Sequence, residues 1–227
     1  MIVKSFGCSF TWGTELPDEA TGLHSYPSKL TWPALIAQHA ACEYQCLAWA
    51  GIGNFYIANT VLTQCIESRN SRDLFIINWT FIDRFDYLSE FNDSSKNLDK
   101  PWKWETCRPD NDPAFFKKYH SEIRDKLASL QLIKLCIDML SQSNIRFIMT
   151  TVDDLILDRT WNTAPSIELL QDFIEPHITQ FNNQTFVQYA DSLGHTRTPG
   201  KHLSERAHYD VAQYAISSSD IQSIIGC

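Results

Sequence analysis

The sequence predicts a single α/β domain over residues 1–227, a three-layer α/β/α sandwich with a five-stranded parallel sheet. Short apolar runs alternate along the chain with longer segments of helical periodicity. The short runs contain few polar positions, as is typical of parallel strands that helices cover on both faces. A chain of 227 residues is the right length for one such domain. The predicted strands are 2–6, 44–48, 74–79, 145–150 and 185–189.

The helices are predicted from apolar spacing and from residues that start or stop a helix. Thr31 can cap one helix, with Pro33 in its first turn, and Asn54 and Ser204 can cap two others. Pro176 is expected to end or bend a fourth. The longest helix has apolar residues three and four positions apart. The predicted helices are 30–41, 54–67, 119–143, 166–178 and 204–217.

The segment 80–118 departs from this alternation and is interpreted as an aromatic-rich insertion. It could hold a small core of its own, or it could form a lid or substrate wall. The second possibility arises because the segment leaves the carboxyl end of the third strand, where open parallel sheets bind ligands. Its aromatic residues are Phe81, Phe85, Tyr87, Phe91, Trp102, Trp104, Phe115 and Phe116.

Charge and composition exclude several classes of protein. The net charge of −8 and the absence of a basic run argue against nucleic acid as a partner. No apolar run is long enough to span a membrane or to act as a secretory leader, so a cytoplasmic location is expected. The seven cysteines fit reduced thiols in apolar segments. His39, Cys42 and Cys46 lack the further ligands of a metal site, so neither a metal nor a cofactor is predicted.

The candidate nucleophile follows the first strand, in the run Gly7-Cys8-Ser9. A serine there stands at the carboxyl end of a strand, and the glycine permits a tight turn. After the second strand, the turn that contains Gly51 could point backbone N–H groups at a developing oxyanion, although an ordinary turn before a helix would look the same. Late in the chain, His202 precedes the Ser204 cap, at the crevice edge, and could accept the proton of Ser9. His208 is expected to cap or pack.

Taken together, these runs resemble the blocks of the SGNH, or GDSL-type, hydrolases, in the same order along the chain. The resemblance implies a flavodoxin-like sheet, with Ser9 as nucleophile and His202 as base. It also implies that the N–H groups of Ser9 and Gly51 form the oxyanion site, with Asn78 and Thr80 in the third block. The run from His202 to His208 is similar to small SGNH-type proteins encoded by phages, which makes association with a virion possible.

Three positions differ from the family pattern. Cys8 replaces the acidic residue of Gly-Asp-Ser, and Thr80 stands where the oxyanion Asn is usual. The Asp three residues before the base is Pro199, so the usual third member of the triad is absent. A backbone carbonyl could orient His202 instead, or the chain could be a weak enzyme. The substitute acids considered are Asp191, Asp153 and Asp154.

The sequence thus favours a serine hydrolase that cleaves an ester or thioester by acyl transfer. The substrate would be a small ester or an acylated carbohydrate or lipid, because the insertion is rich in aromatic residues. One alternative is a non-catalytic binding or structural module on the same fold. A further alternative makes Cys8 the nucleophile. The sequence gives no indication of an oligomeric state.

Overall fold

The central sheet of the computed structural model has four parallel strands. They are β1 (Ile2–Phe6), β2 (Glu43–Cys46), β3 (Leu74–Trp79) and β6 (Arg146–Thr151), in the order β2-β1-β3-β6. Every residue of β3 is buried, as expected of an inner strand covered on both faces. The structure describes residues 1–20, 25–69, 71–90, 102–161, 164–218 and 222–224.

Helices cover both faces of this sheet, which confirms the three-layer α/β/α prediction. The second helix packs against the eighth, the third against the fifth, and the fifth against the sixth. The helices are α1 (Ser9–Trp12), α2 (Trp32–His39), α3 (Asn54–Glu67), α4 (Pro113–Tyr119), α5 (Glu122–Gln142), α6 (Pro165–Ile174), α7 (Phe186–Ser192) and α8 (Glu205–Ser217).

The predicted fifth strand at 185–189 is wrong, because this segment begins α7. Thr185 caps the helix, and its side chain accepts a hydrogen bond from the backbone N–H of Gln188 while the Gln188 side chain accepts one from Thr185. The buried residues Phe186, Val187 and Ala190 share one helical face. A short segment of mixed polarity fits a strand or a helix, and here a capping box starts a helix.

The other helix boundaries follow the predicted signals, with one correction. Thr31 and Ser204 occupy cap positions as predicted, and α6 gives way to a 3₁₀ turn, Glu175–His177, that contains Pro176. Asn54, however, is not a cap. It is the first residue of α3 and is buried, and its side chain bonds both backbone groups of Thr80 at 2.8 and 3.1 Å.

The insertion forms an antiparallel hairpin followed by a helix. Strand β4 (Phe85–Glu90) pairs with β5 (Trp102–Cys107), and α4 comes next. Phe91 and the side chain of Trp102 lie outside the described residues. Across the described ranges, no helix is both long and apolar enough to cross a lipid bilayer.

Candidate active site

The nucleophile turn lies directly at the carboxyl end of β1. Ser9 is the first residue of α1 and is 6% exposed. At that position its N–H has no acceptor within the helix. Gly7 has a φ of +157°, and a Cβ there would lie 2.3 Å from Thr11 Oγ1. Only glycine therefore fits where β1 turns into α1.

Asn78, on the neighbouring strand β3, contacts the nucleophile turn. It is completely buried on β3, and its amide donates to Thr11 Oγ1 at 2.9 Å. Thr80 is also completely buried, and its hydroxyl has no hydrogen-bond partner among the described residues. Both expected oxyanion donors thus lie beneath the surface in this structure. The Asn78 amide bonds the nucleophile turn in this structure, and its part in an oxyanion site stays a prediction.

The Gly51 loop runs alongside the nucleophile turn. Beyond β2 the chain stays paired with β1, since the Leu47 N–H donates to Ser5 at 2.8 Å and the Trp49 N–H donates to Gly7 at 3.1 Å. Gly51 has a φ of +83°, in the left-handed region that favours glycine. Its N–H makes no hydrogen bond to any residue that the structure describes. A free backbone donor therefore lies on the loop beside Ser9.

His202 has a carboxylate partner that was not predicted. Its Nδ1 lies 2.9 Å from Oε2 of Glu15. Because an ionised carboxylate can only accept, Nδ1 carries the proton and Nε2 is left as the acceptor. The His202 ring packs against Phe10, with the ring centroids 5.4 Å apart. The base thus lies next to the residue that follows Ser9 in the chain.

Glu15 is held by three donors from a single turn. Besides His202, the Thr198 hydroxyl donates to it at 2.5 Å and the Gly200 N–H at 3.0 Å. The hydrogen bond from His202, followed by the one from Thr198, lowers the pKa of Glu15 against the opposing effect of burial. Glu15 itself has a φ of +68°, which costs energy for a residue with a Cβ. Three hydrogen bonds to one turn hold Glu15 in this conformation.

The acids considered from the sequence do not bond His202. Asp191 pairs with Arg197 at 2.5 Å, and Asp153 caps a 3₁₀ turn by accepting from the Leu155 N–H at 3.0 Å. Burial raises the pKa of Asp153 to about 6, with a smaller contribution from the neighbouring Asp154. Asp154 in turn accepts from Gln188. In this structure, none of these three carboxylates is hydrogen-bonded to His202.

Glu15 was missed because no local pattern distinguishes it. It lies six residues after Ser9 in a loop, and nothing at that spacing indicates a contact with a histidine near the end of the chain. The one available signal was the carboxylate requirement itself, since Pro199 left the base without a partner. Glu15 follows the candidate nucleophile closely in the chain, so it is one of the acids that could lie near the crevice edge.

Three further expectations concern His208, Cys8 and the nucleophile itself. His208 is buried and its Nδ1 accepts from the Trp32 N–H at 3.3 Å, which confirms that it packs. Burial, with His202 nearby, lowers the pKa of His208 to about 3. Cys8 is completely buried at the cap position of α1, and the alternative with Cys8 as nucleophile stays untested. The Ser9 hydroxyl makes no hydrogen bond to the described residues, His202 included.

A cleft of about 900 Å³ has one wall from the insertion, and none of Ser9, Gly51, Glu15 and His202 lines it. The ring of Phe81 lines it and lies 6.4 Å from the ring of Phe10, centroid to centroid. The far side of the cleft comes from the chain after β6. Its lining also includes Asp83, Phe116, Lys117, Glu122, Asp153, Asp158 and Trp161. In the described ranges, no three His, Cys, Asp or Glu residues are grouped so that they could hold a metal ion.

The fold is that of the G-D-S-L, or SGNH, lipolytic proteins. The structure is similar to a member of the lipolytic protein G-D-S-L family from Veillonella parvula, with a TM-score of 0.53 and 12% identity over 97% of this chain and 98% of that one. It also matches the psychrotrophic esterase EstA from Pseudoalteromonas sp., with a TM-score of 0.49 and 8% identity over 96% of each chain. No protein-family model and no curated protein sequence matches the chain. At these identities the likeness establishes the fold alone.

Proposed function

We propose that the protein is a serine esterase in which Ser9 is the nucleophile, His202 the base and Glu15 the acid of an atypical triad. The observation that carries this proposal is the 2.9 Å contact between Glu15 and His202. It supplies the carboxylate that Pro199 removes from the expected place. A carboxylate on Nδ1 fixes the tautomer whose Nε2 can take a proton from serine.

The proposed reaction is acyl transfer through a covalent intermediate. Ser9 Oγ attacks the ester carbonyl and its proton passes to His202 Nε2, which then protonates the leaving alcohol. Water, deprotonated by the same nitrogen, releases the acid from Ser9. The N–H groups of Ser9 and Gly51 would donate to the oxyanion, and losing one such donor costs about 10²–10³ in kcat. Glu15 holds the imidazole and stabilises it when it is charged.

The cleft favours an uncharged substrate. Asp83, Glu122 and Asp153 line it, and within the described part of the chain none of them pairs with a basic side chain. Their charges would repel a phosphate or carboxylate on the substrate. We therefore infer that the substrate is a neutral ester, such as an acylated carbohydrate or lipid, and that an anionic thioester carrier is disfavoured.

The test compares wild type with Ser9→Ala and His202→Ala on p-nitrophenyl esters of increasing chain length. We expect hydrolysis by wild type alone, together with one fluorophosphonate adduct that maps to the Ser9 peptide. Such a reagent needs an activated hydroxyl and not merely an exposed one. Turnover that is equal in wild type and Ser9→Ala, or no adduct on folded protein, would contradict the proposal.

A non-catalytic binding module is the second candidate, and one observation favours it. Ser9 and His202 are not hydrogen-bonded in this structure, as an idle site would allow. Catalytic hydrogen bonds are, however, often longer without substrate and shorten in the complex. On this alternative, neutral acylated ligands would bind wild type and Ser9→Ala equally, and neither protein would release product.

A further inference from the structure

The hairpin of the insertion packs against the start of α3, and Asp86 makes the hydrogen bonds to the backbone there. This carboxylate is 6% exposed. It accepts hydrogen bonds from the N–H of Gly53 at 2.7 Å, the N–H of Tyr56 at 2.8 Å and the hydroxyl of Thr106 at 2.6 Å. Gly53 is the cap position of α3 and has no side chain, so the capping acceptor comes from another element.

A second side chain of the insertion holds the other end of the same peptide group, which joins Ile52 to Gly53. Arg84 donates from Nη1 to the backbone oxygen of Ile52 at 2.7 Å. The contact leaves no space, because a Cβ on Gly53 would lie 2.8 Å from both Arg84 and Asp86. Successive backbone groups of the loop after Gly51 are therefore bonded to one hairpin.

This arrangement is costly if its only purpose is to cap a helix. Burial raises the pKa of Asp86, which shows that the ionised form is disfavoured by loss of solvent. Serine or aspartate at position 53 would cap α3 without burying a charge. What Asp86 and Arg84 add is a fixed path for the backbone from Gly51 to Gly53.

We propose that Asp86 is a positioning residue for the oxyanion site, fixing the backbone so that the Gly51 N–H is aimed at the substrate carbonyl. The inference rests on the proposed function, since it requires Gly51 to be an oxyanion donor. An oxyanion donor acts only when it is preorganised, because reorienting it during the reaction consumes the stabilisation that it provides. The hairpin thus has a role in turnover besides packing against α3.

The experiment compares Asp86→Asn with wild type, using a p-nitrophenyl ester and a fluorophosphonate titration of the same samples. Asparagine keeps the size of the side chain, but its single oxygen cannot accept from both the Gly53 and the Tyr56 N–H groups. We expect kcat per titrated site to fall by about tenfold or more while KM changes less than about threefold. Labelling should be slower but should still reach one adduct per molecule.

A merely structural role has a different signature. Partial unfolding would lower the number of titratable sites and leave kcat per titrated site unchanged, and that result overturns the proposal. Thr106→Val is the matched control, since it removes one hydrogen bond to the Asp86 carboxylate and leaves those from the Gly53 and Tyr56 N–H groups. It should stay within about twofold of wild type, and an equal loss in this control would also overturn the proposal. Equal turnover by wild type and Ser9→Ala would instead overturn the proposed function, and this inference with it.

Discussion

Glu15 and His202 are hydrogen-bonded although 187 positions separate them in the chain. The same carboxylate accepts from Thr198 and Gly200, the two neighbours of Pro199. Glu15 therefore binds the very turn from which the family acid would project. Glu15, in the loop after α1, thus places a carboxylate at a turn where Pro199 cannot supply one.

Replacing Glu15 with glutamine should impair turnover far more than folding. The amide can offer an N–H to Nδ1 and so favours the wrong tautomer of His202. Loss of the triad acid in otherwise intact proteases lowers kcat by about 10⁴, so we expect Glu15→Gln to lower kcat by about 10²–10⁴. The measurement is steady-state hydrolysis of a p-nitrophenyl ester, with circular dichroism to show that the variant is folded.

Asp191→Asn is the control for that substitution. Asp191 pairs with Arg197 and makes no bond to His202. The esterase activity of Asp191→Asn should remain within about twofold of wild type. If Asp191→Asn were the damaging change and Glu15→Gln were harmless, the acid would have been assigned to the wrong residue.

Asp153→Asn should stabilise the protein at neutral pH. The pKa of Asp153 is raised in the folded state, from 3.8 to about 6, mainly by burial. The folded form therefore binds more protons than the unfolded form between these values, and stability falls as the pH rises through this range. Asparagine does not ionise, so Asp153→Asn removes this fall in stability, and its side-chain oxygen can still cap the 3₁₀ turn. We expect a gain on the order of 1 kcal/mol at pH 7, after allowing for partial exposure, measured by urea unfolding.

His208 should make the protein sensitive to mild acid. Its folded-state pKa is lowered, from 6.5 to about 3, so the unfolded chain takes up a proton that the native protein does not. Uptake of this proton by the unfolded chain lowers the free energy of unfolding by up to about 1.4 kcal/mol per pH unit as the pH falls below 6.5. Urea unfolding of wild type and His208→Gln at pH 7 and at pH 5 measures it. The difference in the free energy of unfolding between wild type and His208→Gln should be smaller at pH 5 than at pH 7. An equal difference at both pH values would contradict the prediction.

Gly7→Ala tests whether the nucleophile turn requires the absence of a side chain. A Cβ at this position would meet Thr11 Oγ1 at 2.3 Å. Gly194 provides the matched control, because it also has a positive φ, of +76°, but nothing lies within 4 Å of its Cβ position. Gly7→Ala should cost about 1–3 kcal/mol more than Gly194→Ala in the free energy of unfolding. Equal costs would show that the clash is relieved by a small shift.

Local patterns in the sequence determined the layers of the fold, the nucleophile turn and most helix ends. The apolar run Leu74–Ile77 defines β3 because a strand covered on both faces needs consecutive apolar residues, and Ser204 caps α8 through contacts within one turn. The Thr185 segment shows the limit of this approach. Five residues of mixed polarity fit a strand or a helix, and the capping box decided the outcome.

Only the tertiary structure decided which carboxylates work at the candidate site. Glu15 reaches His202, and Asp86 reaches Gly53, through hydrogen bonds between segments that are distant in sequence. Such bonds depend on direction and on distances of about 3 Å, and they leave no periodic trace in the chain. Pro199 showed from the sequence that a partner for the base was missing. Which carboxylate lies against His202 depends on the packing of the loop after α1 against the turn before α8.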